Sequence, residues 1–182
     1  MNAPSLVRSR WRRALVCLPL ALGLVPIFNG TASAALIASV ADLSLPAVTY
    51  SHGPQTSTGT MTLTAEDTGV VGLGWNVTVV ASSFVYSGGF GGSAIPAANL
   101  ALTSAAAPVL VSGQAIDPTG GPKVPATSPL GALDVARKVL QTEVLYGAGR
   151  YTQALGVSLT IPAQSRAGTY SSTLTTTISQ GP

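Results

Sequence analysis

The sequence predicts an all-β protein: a single antiparallel β-sandwich domain of immunoglobulin-like type, behind a cleaved signal peptide. Three observations predict it. Short runs in which apolar and hydroxyl residues alternate recur along the chain, and that is the period of a half-buried strand. Glycine and proline clusters separate these runs. Charged residues make up only 8% of the chain. The polar surface must therefore come from uncharged side chains, threonine above all, which favours strands.

The first 34 residues read as an export signal. Met1 to Arg13 carries four arginines and no acid, Ala14 to Phe28 is almost wholly apolar, and Ala32-Ser33-Ala34 is a small-x-small cleavage triplet. The apolar run is short of the ~20 residues of a comfortable membrane span. Cleavage is expected after Ala34, leaving a domain of residues 35–182 with five bases and six acids. The basic balance of the whole chain thus belongs to the signal, and no basic patch is left to bind nucleic acid. Arg12-Arg13 loosely resembles a twin-arginine signal, a pair that ordinary signals also carry, so the export route stays open. Cys17, the sole cysteine, leaves with the signal. Neither a disulfide nor a thiol then holds the mature domain, so a buried core must.

Taken in order, Ala35 to Tyr50 opens with a strand whose buried set is Val40, Leu43 and Leu45, ended by Pro46. Ser51 to Thr58 reads as a loop from its Gly-Pro step, and Thr60 to Thr64 as a strand with Met61 and Leu63 on one face. Glu66 to Gly69 is the following turn. Leu73 to Tyr86 is the strongest internal strand, with Trp75, Val77, Val79 and Ala81 sharing a face. Ser87 to Ser93 is a glycine loop around Phe90; short strands come next near Asn99 to Thr103 and Val109 to Val111, then a turn cluster at Asp117 to Pro122. Leu130 to Leu145 mixes helical and strand spacing and is read as mostly extended. Leu155 to Ile161 alternates without a fault, and Gly168 to Pro182 places Tyr170, Ser172, Leu174, Thr176 and Ile178 on one face against a row of hydroxyls. These last two runs are expected to pair as a hairpin across residues 162–168.

Few residues offer chemistry, and no catalytic residue, cofactor or metal site is expected. His52 is the only histidine and sits in a Gly-Pro loop, so a Ser-His-acid triad would have to pass through it. Zinc needs clustered His and Cys ligands that the mature chain lacks. Glu66, Asp67 and Asp117 read as solubilising turn residues rather than a calcium loop or a glycosidase pair. The glycines near Phe90 do not sit between a strand and a helix, as a phosphate loop would. Trp75 reads as core; its other use would be as a flat platform for a sugar ring.

Two segments carry a resemblance. Gly74-Trp75-Asn76-Val77, together with Tyr170-x3-Leu174-x-Thr176-x-Ile178-x3-Pro182, resembles the WxL domain of Gram-positive surface proteins. That family pairs an inner Trp-x-Leu with a terminal Tyr-x3-Leu-x-Trp-x-Leu-x3-Pro. Val77 stands here for the first leucine, Thr176 for the second tryptophan and Ile178 for the last leucine. The resemblance implies a secreted, non-enzymatic cell-surface protein that associates non-covalently with the cell wall through peptidoglycan. It also makes the motif positions Trp75, Val77, Tyr170, Leu174, Thr176, Ile178 and Pro182 the binding candidates. The sequence has no Leu-Pro-x-Thr-Gly sorting signal, in keeping with non-covalent attachment, and the mature protein is expected to be peripheral rather than membrane-spanning. An alternative is a structural subunit or adhesin component that binds other surface proteins through uncharged strand edges.

Overall fold

Alternation becomes strand in the structure, a computed structural model that describes residues 35–69, 72–127 and 129–182. The expected signal peptide and its cleavage site lie outside the described residues. The described chain is all-β, with one three-residue 3-10 turn at Ala97–Asn99. Its strands are β1 (Leu36–Val40), β2 (Gln55–Asp67), β3 (Trp75–Ala81), β4 (Val85–Ser87), β5 (Leu100–Ala105) and β6 (Val109–Gly113). They continue with β7 (Gly131–Ala132), β8 (Arg137–Gln141), β9 (Gly149–Ile161), β10 (Thr169–Ser171) and β11 (Leu174–Gln180). No helix among the described residues is long and apolar enough to cross a membrane.

Every ladder is antiparallel. One sheet runs β1-β2-β9-β5-β7, with β6 also beside β9; a second runs β11-β3-β8, and β10 pairs with β4. The inward residues of both sheets meet in one cluster: Met61, Leu63 and Ala65 from β2, Tyr151, Leu155 and Val157 from β9, and Trp75, Val77 and Val79 from β3. Burying each such large side chain stabilises the fold by about 1.5–3 kcal/mol. This is the two-layer sandwich that the alternation predicts.

The terminal hairpin does not form. Both edges of β9 are already taken, by β2 on one side and by β5 and β6 on the other. After Ile161 the chain instead crosses to the other sheet, where β10 pairs with β4 and β11 with β3. Both readings bury the same face, and Tyr170, Leu174 and Ile178 do pack on the core. Alternation fixes the face of a strand but not its neighbour.

Three further expectations shift. The loop over Ser51 to Thr58 is shorter, because β2 starts at Gln55. Asp67 is not a solubilising turn residue: it ends β2 buried, its carboxylate accepting the Gly69 N–H at 2.8 Å. The long strand to Tyr86 breaks after Ala81, where Ser82, Ser83 and Phe84 face only Ser172 and Thr173. This extra residue is a β-bulge, which reverses the facing of the residues beyond it. Odd residues point inward up to Ala81, and after the bulge Phe84 is the buried one. Ser172 Oγ donates to the Ser82 carbonyl at 2.6 Å, and the Thr173 N–H donates to Ser82 Oγ at 3.0 Å. The serines at the break thus satisfy the backbone groups that the bulge takes out of the ladder.

Candidate functional site

The two motif segments are neighbours. In the β3–β11 ladder Trp75 lies opposite Gln180, Val77 opposite Ile178, Val79 opposite Thr176 and Ala81 opposite Leu174. Beyond the bulge, Tyr170 lies opposite Tyr86. Leu174, Thr176 and Ile178 point inward and are half-buried, whereas Pro182 is exposed. One seam therefore joins all seven candidate positions or their immediate continuation.

Its Trp75 end is sealed. Trp75 and Val77 are 0% exposed. The indole Nε1 donates to the Gly147 carbonyl at 3.1 Å, and the ring lies 6.3 Å from that of Tyr151. Thr142 behaves as a strand partner: its Oγ1 accepts the Trp75 N–H at 2.9 Å and its own N–H donates to the Trp75 carbonyl at 2.8 Å. Gly147, at φ 90°, has no room for a side chain, since a Cβ would lie 2.8 Å from the indole nitrogen. With both ring faces covered, Trp75 is core and offers no platform to a sugar.

The Tyr170 end is open. After β1 the segment 41–51 leaves the ladder and crosses the inner face of β2 as a strap. Leu43 and Leu45 pack over Gly59, where an added Cβ would sit 2.8 Å from Leu45 and 3.1 Å from Leu43. The strap is tied at Ala41 (N–H to Thr62 O, 3.0 Å) and at Ser51 (carbonyl from Gln164 N–H, 3.1 Å). Between these, Ser57 Oγ donates to the Pro46 carbonyl at 2.8 Å. Among the described residues, the backbone of 42–50 makes no bond to other backbone. Between the strap, the 162–168 turn and β10 lies a cleft of about 760 Å3. Its floor is apolar, from Phe84, Ile95, Leu100 and Leu159. Its walls include Ser44, Thr49 and Ser171, the half-exposed Tyr50, and the two charged residues Asp42 and Arg166.

The turn that carries Arg166 is held by two tyrosines. Tyr86 donates its hydroxyl proton to the Ala167 carbonyl at 2.9 Å, and Tyr170 donates to the Arg166 carbonyl at 3.0 Å. The Tyr86 hydroxyl also accepts the Phe90 N–H at 3.1 Å. Glycines wrap its ring: a Cβ on Gly88, Gly92 or Gly168 would approach Tyr86 to 2.5, 2.5 and 2.4 Å respectively. The glycine loop at 87–93 is thus a sleeve for one aromatic side chain. Among the described residues neither Arg166 nor Asp42 is in an ion pair; the pair that forms is Lys123–Glu143, 2.9 Å apart.

Elsewhere Asp117 and Tyr151 are held by structural contacts. Asp117 accepts the N–H groups of Thr119 and Gly120 at 2.8 and 2.6 Å, and those bonds, Gly120 first, hold its carboxyl below its ordinary range. Burial, with the charge of Asp67 second, raises Tyr151 above the usual tyrosine value. His52 is exposed and meets the Tyr50 ring edge-on at 5.3 Å. No group of three or more His, Cys, Asp or Glu among the described residues is placed to hold a metal ion. Sequence reasoning missed Tyr50, Tyr86 and Arg166. A signal for Tyr86 existed in the glycines on either side of Phe90, whereas Arg166 meets the strap only through the crossover. No protein family, curated protein or solved structure matches this chain.

Proposed function

We propose that this chain is a secreted, non-enzymatic protein of the cell surface that associates non-covalently with the cell wall, with peptidoglycan as its partner. The observation that carries the reading is the β3–β11 seam. Segments far apart in sequence that resemble the two motifs of a wall-associated family lie in register, with Val77 opposite Ile178 and Tyr170 opposite Tyr86. The seam itself is structural, so contact with polymer falls to the open end that Tyr170 borders. Hydroxyl-bearing walls with, among the described residues, a single cation and a single anion, rather than a basic patch, suit a hydroxyl-rich saccharide polymer better than a nucleic acid. Co-sedimentation with insoluble peptidoglycan at low and moderate salt tests the reading. The protein belongs in the pellet, and recovery in the supernatant at both salts would sink it.

One observation favours assembly with other surface proteins as a second reading. All five residues of β6 are exposed, and Val109 and Val111 are more than half so. This strand carries no charge to discourage pairing along an edge. Crosslinking on cells that recovers no partner, with a monodisperse monomer in solution, would remove it.

A further inference from the structure

We infer that the open cleft binds a saccharide bearing a carboxylate, with Arg166 as the anchor of that group. The inference rests on the wall-association reading and names the site and ligand chemistry that would serve it. The cleft, about 760 Å3, falls in the ~300–1,000 Å3 range of small-ligand sites. A sugar ring has an apolar C–H face and a rim of hydroxyls, and the cleft mirrors that division. Val48 and Tyr50, 38% and 50% exposed, supply the accessible apolar surface, above a nearly closed floor of Phe84, Ile95, Leu100 and Leu159. Around them stand neutral residues with donors and acceptors, Ser44 and Thr49, and the strap backbone that finds no backbone partner of its own. Asp42 adds acceptor oxygens for sugar hydroxyls.

The guanidinium of Arg166 has no acceptor or acid within bonding distance among the described residues. Its backbone is nevertheless fixed, because Tyr170 and Tyr86 hold the carbonyls of Arg166 and Ala167. A fixed turn presenting a free guanidinium is organised to receive a planar carboxylate in a two-pronged hydrogen bond. A peptide strand fits the slot less well. Strand addition needs an unbroken row of backbone groups, but Pro46 interrupts the strap and the Ser172–Thr173 break interrupts the facing edge.

Titration of the protein, as its own cells process it, with four probes decides the matter. The probes are a neutral N-acetylglucosamine tetramer, an N-acetylglucosaminyl-N-acetylmuramic acid disaccharide with its carboxylate free, a galacturonate tetramer, and an alternating Thr-Val hexapeptide. At least one acidic saccharide is expected to bind about tenfold or more tighter than the neutral tetramer. Preference for the disaccharide points to wall glycan whose muramic carboxyl is free of stem peptide, preference for the galacturonate to a uronate polymer, and either supports the site. Amide shifts in the unmutated protein should gather at Tyr50, Arg166 and Thr169, which keeps the test independent of any variant's folding. Arg166→Gln should erase the acid preference, and Arg166→Lys should restore part of it. Equal binding of neutral and acidic probes, tighter binding of the hexapeptide, shifts gathered elsewhere, or no binding at all overturns the inference. Walls that pellet Arg166→Gln as well as the unmutated protein overturn it too, and leave wall association standing. Saccharide binding at the cleft without pelleting does the reverse.

Discussion

Tyr86 and Tyr170 face each other across the β4–β10 ladder with ring centroids 5.2 Å apart, and each hydroxyl holds a carbonyl of the same turn. The open end of the sandwich is therefore shaped by a matched pair, one tyrosine from each strand of the β4–β10 ladder. Removing one hydroxyl should loosen the turn without unfolding the protein. Tyr86→Phe and Tyr170→Phe are each expected to cost about 0.5–1.5 kcal/mol and to speed amide exchange at residues 164–169. Hydrogen exchange read with denaturant unfolding checks this; unchanged exchange in both variants contradicts it.

The sleeve around Tyr86 gives a graded test with its own control. Gly92→Ala and Gly88→Ala place a methyl group 2.5 Å from that tyrosine, on the ring and on the hydroxyl oxygen respectively, whereas Gly89→Ala meets nothing within 4 Å. The first two should destabilise by about 1–3 kcal/mol through overpacking. Gly89→Ala should stay within about 0.5 kcal/mol of the unmutated protein. Thermal unfolding of the three variants would show whether the loop is a fitted cover or a loose connection.

At the sealed end, Thr142 supplies the acceptor for the Trp75 N–H. Thr142→Val keeps the shape and strands a buried donor, at a cost of about 1–3 kcal/mol. Thr142→Ser keeps the hydroxyl and should cost less. A larger loss for serine than for valine in chemical denaturation would mean that the methyl group matters more than the hydrogen bond.

Tyr151 sets an alkaline dependence. Burial, then Asp67, raises its folded pKa above the ordinary value of 10.0. The folded state then keeps its proton after the unfolded chain has lost it. Stability is full below about pH 10 and falls as pH rises towards and through the raised folded value. Tyr151→Phe loses the bond to the Gln114 carbonyl, 2.7 Å long, so it should be less stable at neutral pH yet show a shallower decline above about pH 10. Denaturant midpoints across that range check it, and parallel curves for the two proteins contradict it.

The faces of β2, β3, β9 and β11 were legible in the sequence, because within an unbroken strand side-chain direction depends only on the two-residue period. Trp75, Val77, Val79 and Ala81 point inward as read, and so do Tyr170, Leu174, Thr176 and Ile178. Strand neighbours were less legible. The seven residues 162–168 can close a hairpin or cross between sheets, and only the occupied edges of β9 decide. The bulge at Ser82 was hidden for a similar reason, since the extra residue has meaning only against Ser172 and Thr173. Of the site, the motif positions were visible as spacing, and the structure makes Trp75 and Val77 core. Arg166 and Tyr50 come together only through a crossover and a strap that no local pattern encodes.

The central claim is that the protein binds wall polymer and does so at its open end. Co-sedimentation with insoluble peptidoglycan, run for the unmutated protein, Arg166→Gln and Tyr50→Ala at low and moderate salt, tests it most directly. Both side chains are at least half exposed or outside the core cluster, so their loss should not unfold the chain. The unmutated protein should pellet, and both variants should pellet more weakly. An unmutated protein that stays in the supernatant at both salts would contradict it.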